Sequence, residues 1–272
     1  MRLLGCRSRP RAVTLLRRAA LASAALVGDH LSLQIDFVAR EITIKLVYYG
    51  PALSGKTTNL QALHAVAQEG TAGRLLTLET RDDRTLFFDL LPLTFKARGD
   101  VSIRLKVFTV PGQVIHASTR RLVVQGADAV VFVADSQVEE TRNNGASFVD
   151  LKNNLKAHGV QLKDMPVVIQ FNKRDLPNVR SREELAELAA KGKEPVYLAV
   201  AMRGEGVVET FLGALQLAWV KLEKEHGLRA KFGIDGNALL AQVAERLGRP
   251  GDAEAAVAAR VGGIPGQAGS GP

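Results

Sequence analysis

The segment that most limits what this chain can fold into is Gly50-Pro51-Ala52-Leu53-Ser54-Gly55-Lys56-Thr57. It follows the strand-patterned stretch Glu41–Tyr49 and precedes a stretch from Thr57 to Glu69 with Leu60, Leu63, His64 and Ala67 at helical spacing. A strand, a loop bounded by two glycines, then Lys-Thr at the start of a helix is the context in which this pattern binds phosphate. Consecutive backbone N–H groups and the helix N-terminus face the phosphate oxygens. Lys56 is expected to reach the terminal phosphates, and the Thr57 hydroxyl to ligate Mg²⁺. The candidate phosphate contacts are therefore Gly50, Ala52, Leu53, Ser54, Gly55, Lys56, Thr57 and Thr58. The loop alone does not choose between adenine and guanine nucleotides.

The stretches around it alternate between strand and helix patterns from about 40 to 226. Ala129–Ala134 and Pro166–Phe171 are short apolar runs of the kind buried in parallel sheets. Helices are expected near 144–157, from Ser181 to Ala190, and over 207–226; Ser181-Arg182-Glu183-Glu184 reads as a capping box. Glu194–Val200 reads as the last strand. Leu93–Ala97 and Val101–Val110 read as an antiparallel pair around Arg98-Gly99-Asp100, and 70–92 reads as irregular. The expected fold is α/β: a P-loop NTPase three-layer sandwich, with a mostly parallel sheet, one antiparallel edge strand and helices on both faces. His64, on the apolar face of its helix, is expected to be packed.

The domain reading follows from where composition changes. The 272 residues divide into a basic extension, expected to be disordered, over 1–32, one domain over 33–227, and a tail over 228–272. Within the tail, 237–247 has the pattern of one amphipathic helix, with disorder expected after it. The net charge of +8 is concentrated in Arg2, Arg7, Arg9, Arg11, Arg17 and Arg18, opposed there by Asp29, which argues against a nucleic-acid-binding core. Cys6 is the only cysteine, so no disulfide forms within the chain. Residues 1–30 admit three readings: a disordered tail or a start codon placed too far upstream, a helix in peripheral contact with a membrane or a partner, or an export signal. No run of 18 apolar residues predicts a membrane span.

Asn172-Lys173-Arg174-Asp175 ends the strand at 167–171. The Asp175 carboxylate can accept hydrogen bonds from the ring N–H and exocyclic amine of guanine, whereas adenine presents the wrong pattern. The Lys173 stem is expected to pack over the base. Val200-Ala201-Met202 sits where a third base-contacting loop falls, so Ala201 and Met202 join the candidate contacts, although the usual serine is missing. Thr109-Val110-Pro111-Gly112-Gln113 ends another strand. In most Ras-like proteins this segment reads Asp-x-x-Gly: the aspartate holds Mg²⁺ through water, the glycine N–H senses the γ-phosphate, and a glutamine positions water. Here Thr109 occupies the aspartate position, with Gly112 and Gln113 retained.

Together with Tyr48-Tyr49-Gly50-Pro51, Asp83-Arg84-Thr85-Leu86-Phe87-Phe88-Asp89, Phe132-Val133-Ala134-Asp135-Ser136-Gln137 and Leu176-Pro177-Asn178, these motifs resemble the MglA family over about residues 33–225. These are bacterial Ras-like GTPases of gliding motility and cell polarity. The resemblance implies a cytoplasmic GTP/GDP switch that uses Mg²⁺. It also implies a Roadblock-fold, MglB-like protein that accelerates hydrolysis, besides an exchange factor and effectors it does not identify. It suggests Thr85 as the first-switch threonine near Mg²⁺ and the γ-phosphate, and Arg84 as an arginine finger supplied within the chain. Phe87 and Phe88 read as core or partner-facing aromatics. One position departs from the family, which usually has glycine where this chain has Ala52. A side chain there crowds the glutamine and the arginine finger, so slow turnover is expected. A GTP-binding scaffold that hydrolyses slowly or not at all is the alternative.

Overall fold

The computed structural model describes residues 34–79, 87–97, 100–113, 116–249 and 253–261. Strand β1 (Gln34–Asp36) turns back onto β2 (Glu41–Tyr49), which leads through the phosphate loop into helix α1 (Lys56–Val66). Strands β3 (Leu76–Glu79), β4 (Phe87–Lys96) and β5 (Ser102–Thr109) follow. Then come α2 (Ala117–Val124), β6 (Ala129–Asp135), α3 (Thr141–Ala157), β7 (Val167–Asn172), α4 (Arg182–Lys191), β8 (Val196–Leu198) and α5 (Val207–His226). The chain continues through α6 (Leu228–Phe232), α7 (Gly236–Arg246) and α8 (Ala253–Ala258).

The sheet runs β3-β4-β5-β2-β6-β7-β8, with β1 also paired to β2. β2 is parallel to β5 and β6, and the parallel set continues through β7 and β8. β4 is antiparallel to β5. Strands β2 and β6 are buried almost throughout, as parallel strands covered on both faces must be. Helices α1 and α5 lie against the sheet, with α5 touching β2, β6 and β7; α3 touches β6 and α2. The α/β class and the mostly parallel sheet are as expected.

Two local readings are corrected. The described part of 70–92 is not irregular throughout, because β3 and the first part of β4 lie within it, and β3 is placed outside the antiparallel strand that was expected to form the edge. Asp89 and Pro92 interrupt the apolar pattern there, but Asp89 is held by hydroxyls, and the Pro92 carbonyl accepts from the Gly73 N–H at 2.9 Å. His64 is exposed rather than packed, since α1 buries Lys56, Asn59, Leu60 and Leu63. The Ser181–Glu184 capping box forms as its sequence predicts.

Residues beyond Gly227 join the main core. Leu228, Phe232, Ile234, Leu239, Leu240, Val243, Ala244 and Leu247 are buried in the same apolar cluster as Ile44, Leu60 and Phe211. Both α7 and α8 pack on α5. The end of α1 is tied to this segment: Gln68 donates its N–H to the Arg246 carbonyl at 2.9 Å and its side-chain amide to the Glu245 carbonyl at 3.1 Å. Among the described residues no helix is long and apolar enough to cross a membrane.

Candidate functional site

The site forms where β2, β5, β6 and β7 end, because parallel strands deliver all their C-terminal loops to one edge of the sheet. After Tyr49 the backbone takes up positive φ at Gly50 (147°), Leu53 (61°) and Gly55 (98°). Glycine is needed at both of the loop's glycine positions for lack of room as well. A side chain on Gly50 would meet the Val133 backbone, and one on Gly55 the Asn172 side chain. The loop then opens α1 with Gly55 as its N-cap.

Lys56 is buried and folds back over its own loop, donating to the carbonyls of Gly50 (3.0 Å) and Pro51 (2.6 Å). Burial pushes its ammonium down to about 8; the Arg120 charge pushes the same way, and the Asp89 charge opposes both. Ser54 Oγ is buried and takes no hydrogen-bond partner among the described residues. Leu53 points to solvent, and Ala52, Thr57 and Gln113 are exposed.

A cavity of about 680 Å³ opens between this loop and the ends of β4 and β5. It brings together Ala52, Leu53, Gly55, Lys56, Thr57, Thr58, Gly112 and Gln113 from the sequence reading, with Asp89 and Thr109 on its wall. Gly112 sits so close to Ala52 that a Cβ on it would overlap the Ala52 backbone. Arg84 and Thr85 lie outside the described residues.

The segment expected to read a base, from Asn172 to Asp175, is built from hydrogen bonds. Asn172 is buried, donates its side-chain N–H to the Ser54 carbonyl and accepts from the Ala201 N–H, both at 2.9 Å. Lys173, at φ 64°, pairs with Asp135 at 2.6 Å. Asp175 and Met202 are exposed at the rim, whereas Ala201 is buried and spends its N–H on Asn172. Beneath the loops, Asn59 and Gln170 exchange amide hydrogen bonds at 2.9 Å in each direction, Asn59 also donates to the Gly55 carbonyl at 2.9 Å, and Gln170 donates to Thr210 at 3.0 Å.

Two site residues escaped the sequence reading. Asp89 is buried on β4, and its carboxylate accepts from three hydroxyls: Thr57 (2.6 Å) and Thr109 (2.9 Å) on Oδ2, and Thr77 (2.9 Å) on Oδ1. A lone acid inside Phe87-Phe88-Asp89-Leu90-Leu91 was the available signal, since a buried carboxylate must be paired. Arg120 on α2 is also buried. It pairs through Nε with Asp150 at 2.7 Å and donates to the carbonyls of Gln113 and Pro111, fastening the segment after β5 to α3. No local pattern announces it.

Among the described residues no group of three His, Cys, Asp or Glu side chains converges. The oxygens of Thr57 and Asp89 are hard donors that suit Mg²⁺, which is commonly held by one or two protein oxygens together with phosphates.

No protein-family model matches the chain. It is similar to the Mutual gliding-motility protein MglA of Myxococcus xanthus (strain DK1622), 45% identical over 190 residues, which span 70% of this chain and 97% of that protein. Identity at that level over nearly the whole of the relative, joined to a parallel sheet with its glycine-bounded loop at the strand ends, settles the family: the chain belongs to the MglA family of Ras-like small GTPases.

Proposed function

We propose that the protein is a GTP-binding switch that hydrolyses GTP to GDP, with residues 33–227 as its GTPase domain. The observation that carries this reading is Asn172, whose one side chain bonds the phosphate loop at Ser54 and the third loop at Ala201. It thereby holds the phosphate-gripping and base-reading segments at a fixed separation. In this reading Asp175 selects guanine, the Lys173 stem covers the base, and Lys56 leaves the Gly50 and Pro51 carbonyls to neutralise phosphate charge. Gln113 positions the attacking water, and the Gly112 N–H meets the γ-phosphate. Thr57 and Thr85 would hold Mg²⁺, which when bound neutralises charge on the β- and γ-phosphate oxygens. Arg84 would stabilise the charge that develops during transfer.

The family supports motility or polarity as the process served, the cytoplasm as the location, and an MglB-like Roadblock protein as the activator. Displacement of labelled GDP tests the nucleotide: GTP must compete and ATP must not, and equal competition by ATP would refute the guanine assignment. Single-turnover hydrolysis with and without a Roadblock-fold partner tests the enzyme. A second reading, a slowly hydrolysing or non-hydrolysing scaffold, draws on Ala52, which lines the same cavity as Gln113, and on Thr109 in place of an aspartate. It predicts tight GTP binding with no stimulation.

A further inference from the structure

We propose that Asp89 makes nucleotide retention depend on Mg²⁺, supplying from β4 the carboxylate that the end of β5 lacks. This rests on the guanine-nucleotide reading above. The end of β5 carries Thr109, a neutral residue, at the position facing the Thr57 hydroxyl's neighbourhood. Across the antiparallel ladder, Leu90 pairs with Phe108, and one step further the Asp89 N–H donates to Thr109 Oγ1 at 2.9 Å. Thr109 Oγ1 in turn donates to Asp89 Oδ2 at 2.9 Å. Thr109 is thus the hydroxyl that aims its neighbour's carboxylate, and the negative charge has moved one strand over while still reaching the same place.

The atom it reaches is Thr57 Oγ1, at 2.6 Å. A threonine hydroxyl has one proton and two lone pairs. When that proton is given to Asp89, the lone pairs are left for a cation on the other side, and the oxygen becomes a better donor. This is how an outer carboxylate orients a metal ligand. The second oxygen of Asp89 is fixed by Thr77 at 2.9 Å, so the carboxylate cannot rotate away without losing a bond. Asp89 is 6% exposed and lies on the wall of the same cavity as Lys56, whose ammonium feels its charge. An uncharged side chain could fill this rung at lower desolvation cost. The charge has a use if a cation arrives. Asp89 is a positioning residue in this account, acting through Thr57.

The test is release of a fluorescent GDP from the full chain, chased with excess GDP, in millimolar Mg²⁺ and in EDTA. Wild type is expected to release it much faster in EDTA. Asp89→Asn keeps the shape but removes the charge and turns one of the two acceptor oxygens into a donor. It is expected to release GDP in Mg²⁺ about 10- to 100-fold faster than wild type, as loss of an outer partner typically weakens metal affinity. In EDTA it is expected to match wild type, which shows that fold and loop are intact. The double variant Asp89→Asn, Thr109→Asp, which returns a carboxylate to the end of β5, is expected to regain Mg²⁺ dependence. It also serves if the single variant does not fold. An Asp89→Asn protein as Mg²⁺-dependent as wild type, or a double variant that stays indifferent to Mg²⁺, would overturn the inference while leaving the nucleotide assignment standing. Wild type that binds no GDP in either condition would instead refute the assignment itself.

Discussion

The two ends of the cleft hold their polar groups in opposite ways. At the base end, bonds link separate elements of the fold: Asn172 joins two loops, Lys173 reaches Asp135, and the Asn59–Gln170–Thr210 amide and hydroxyl chain braces them from below. At the phosphate end the bonds stay within the loop or converge on one carboxylate. Lys56 sits on its own loop's carbonyls, and Thr57 and Thr109 share one carboxylate oxygen. On the proposed function Lys56 gives up its two carbonyl bonds to reach phosphate while Thr57 keeps its bond to Asp89, so ligand state is registered at Lys56. An equilibrium can only be shifted by contacts that differ between its states, and these are the contacts that differ.

The contrast is broken most severely at Asn172. Asn172→Ala leaves the buried Ser54 carbonyl and Ala201 N–H without their partner, a loss of about 3 kcal/mol at typical costs per unmade bond. A melting temperature lower by several degrees without nucleotide, and loss of measurable GDP binding, are expected. An unchanged melting curve would show that the base end is not preformed. Asp175→Asn is next: its side chain is exposed, so stability should hold while GDP affinity falls by about 100-fold or more, read by displacement titration.

Two changes probe the phosphate end. Gly112→Ala forces a methyl into the Ala52 backbone, so the segment after β5 must move. Hydrolysis should fall by about 100-fold, the scale for misplacement of about 1 Å, with GDP binding kept within severalfold. Ala52→Gly runs the other way and should raise single-turnover hydrolysis by about tenfold or less. Equal rates for wild type and Ala52→Gly, both with and without a Roadblock protein, would sink the crowding idea.

The smallest effect on nucleotide belongs to a buried charge outside the cleft. Burial holds Asp128 up at about 6, against an ordinary 3.8, while its carboxylate accepts the Lys45 N–H at 2.7 Å. The folded state therefore binds the proton more tightly than the unfolded chain. That contribution is fully present below about pH 4 and is lost as pH rises through 6. Relative to Asp128→Asn, which does not titrate, wild type should lose stability across that window in denaturant melts. GDP release should not differ between the two.

The sequence announced the parts of the site in which one residue type is tied to one local shape. Gly50 and Gly55 are required by positive φ and close neighbours, and Lys56, Thr57, Asn172 and Asp175 follow strands whose apolar runs were plain. What stayed hidden depends on pairing across the sheet. Asp89 and Pro92 spoil the β4 pattern; the reason for Asp89 appears only when Thr57, Thr77 and Thr109 are seen on neighbouring elements, and Pro92 is met by the Gly73 N–H. Arg120 was silent because one arginine on a helix reads as solvated until Asp150 and the Gln113 carbonyl are found around it. Beyond Gly227 the amphipathic pattern of α7 was legible, but α6 is too short, and α8 too short and too rich in alanine, to show, and nothing local said that Leu239, Leu240 and Val243 enter the main core.

The tie between Gln68 and Arg246 has a consequence in time. The glycine-bounded loop is translated early, but the far end of the helix it opens is fastened by a segment that is translated almost two hundred residues later. A chain still on the ribosome carries the loop's sequence without the brace. A nascent chain stalled before α7 therefore lacks the two bonds that Gln68 makes just beyond the end of α1.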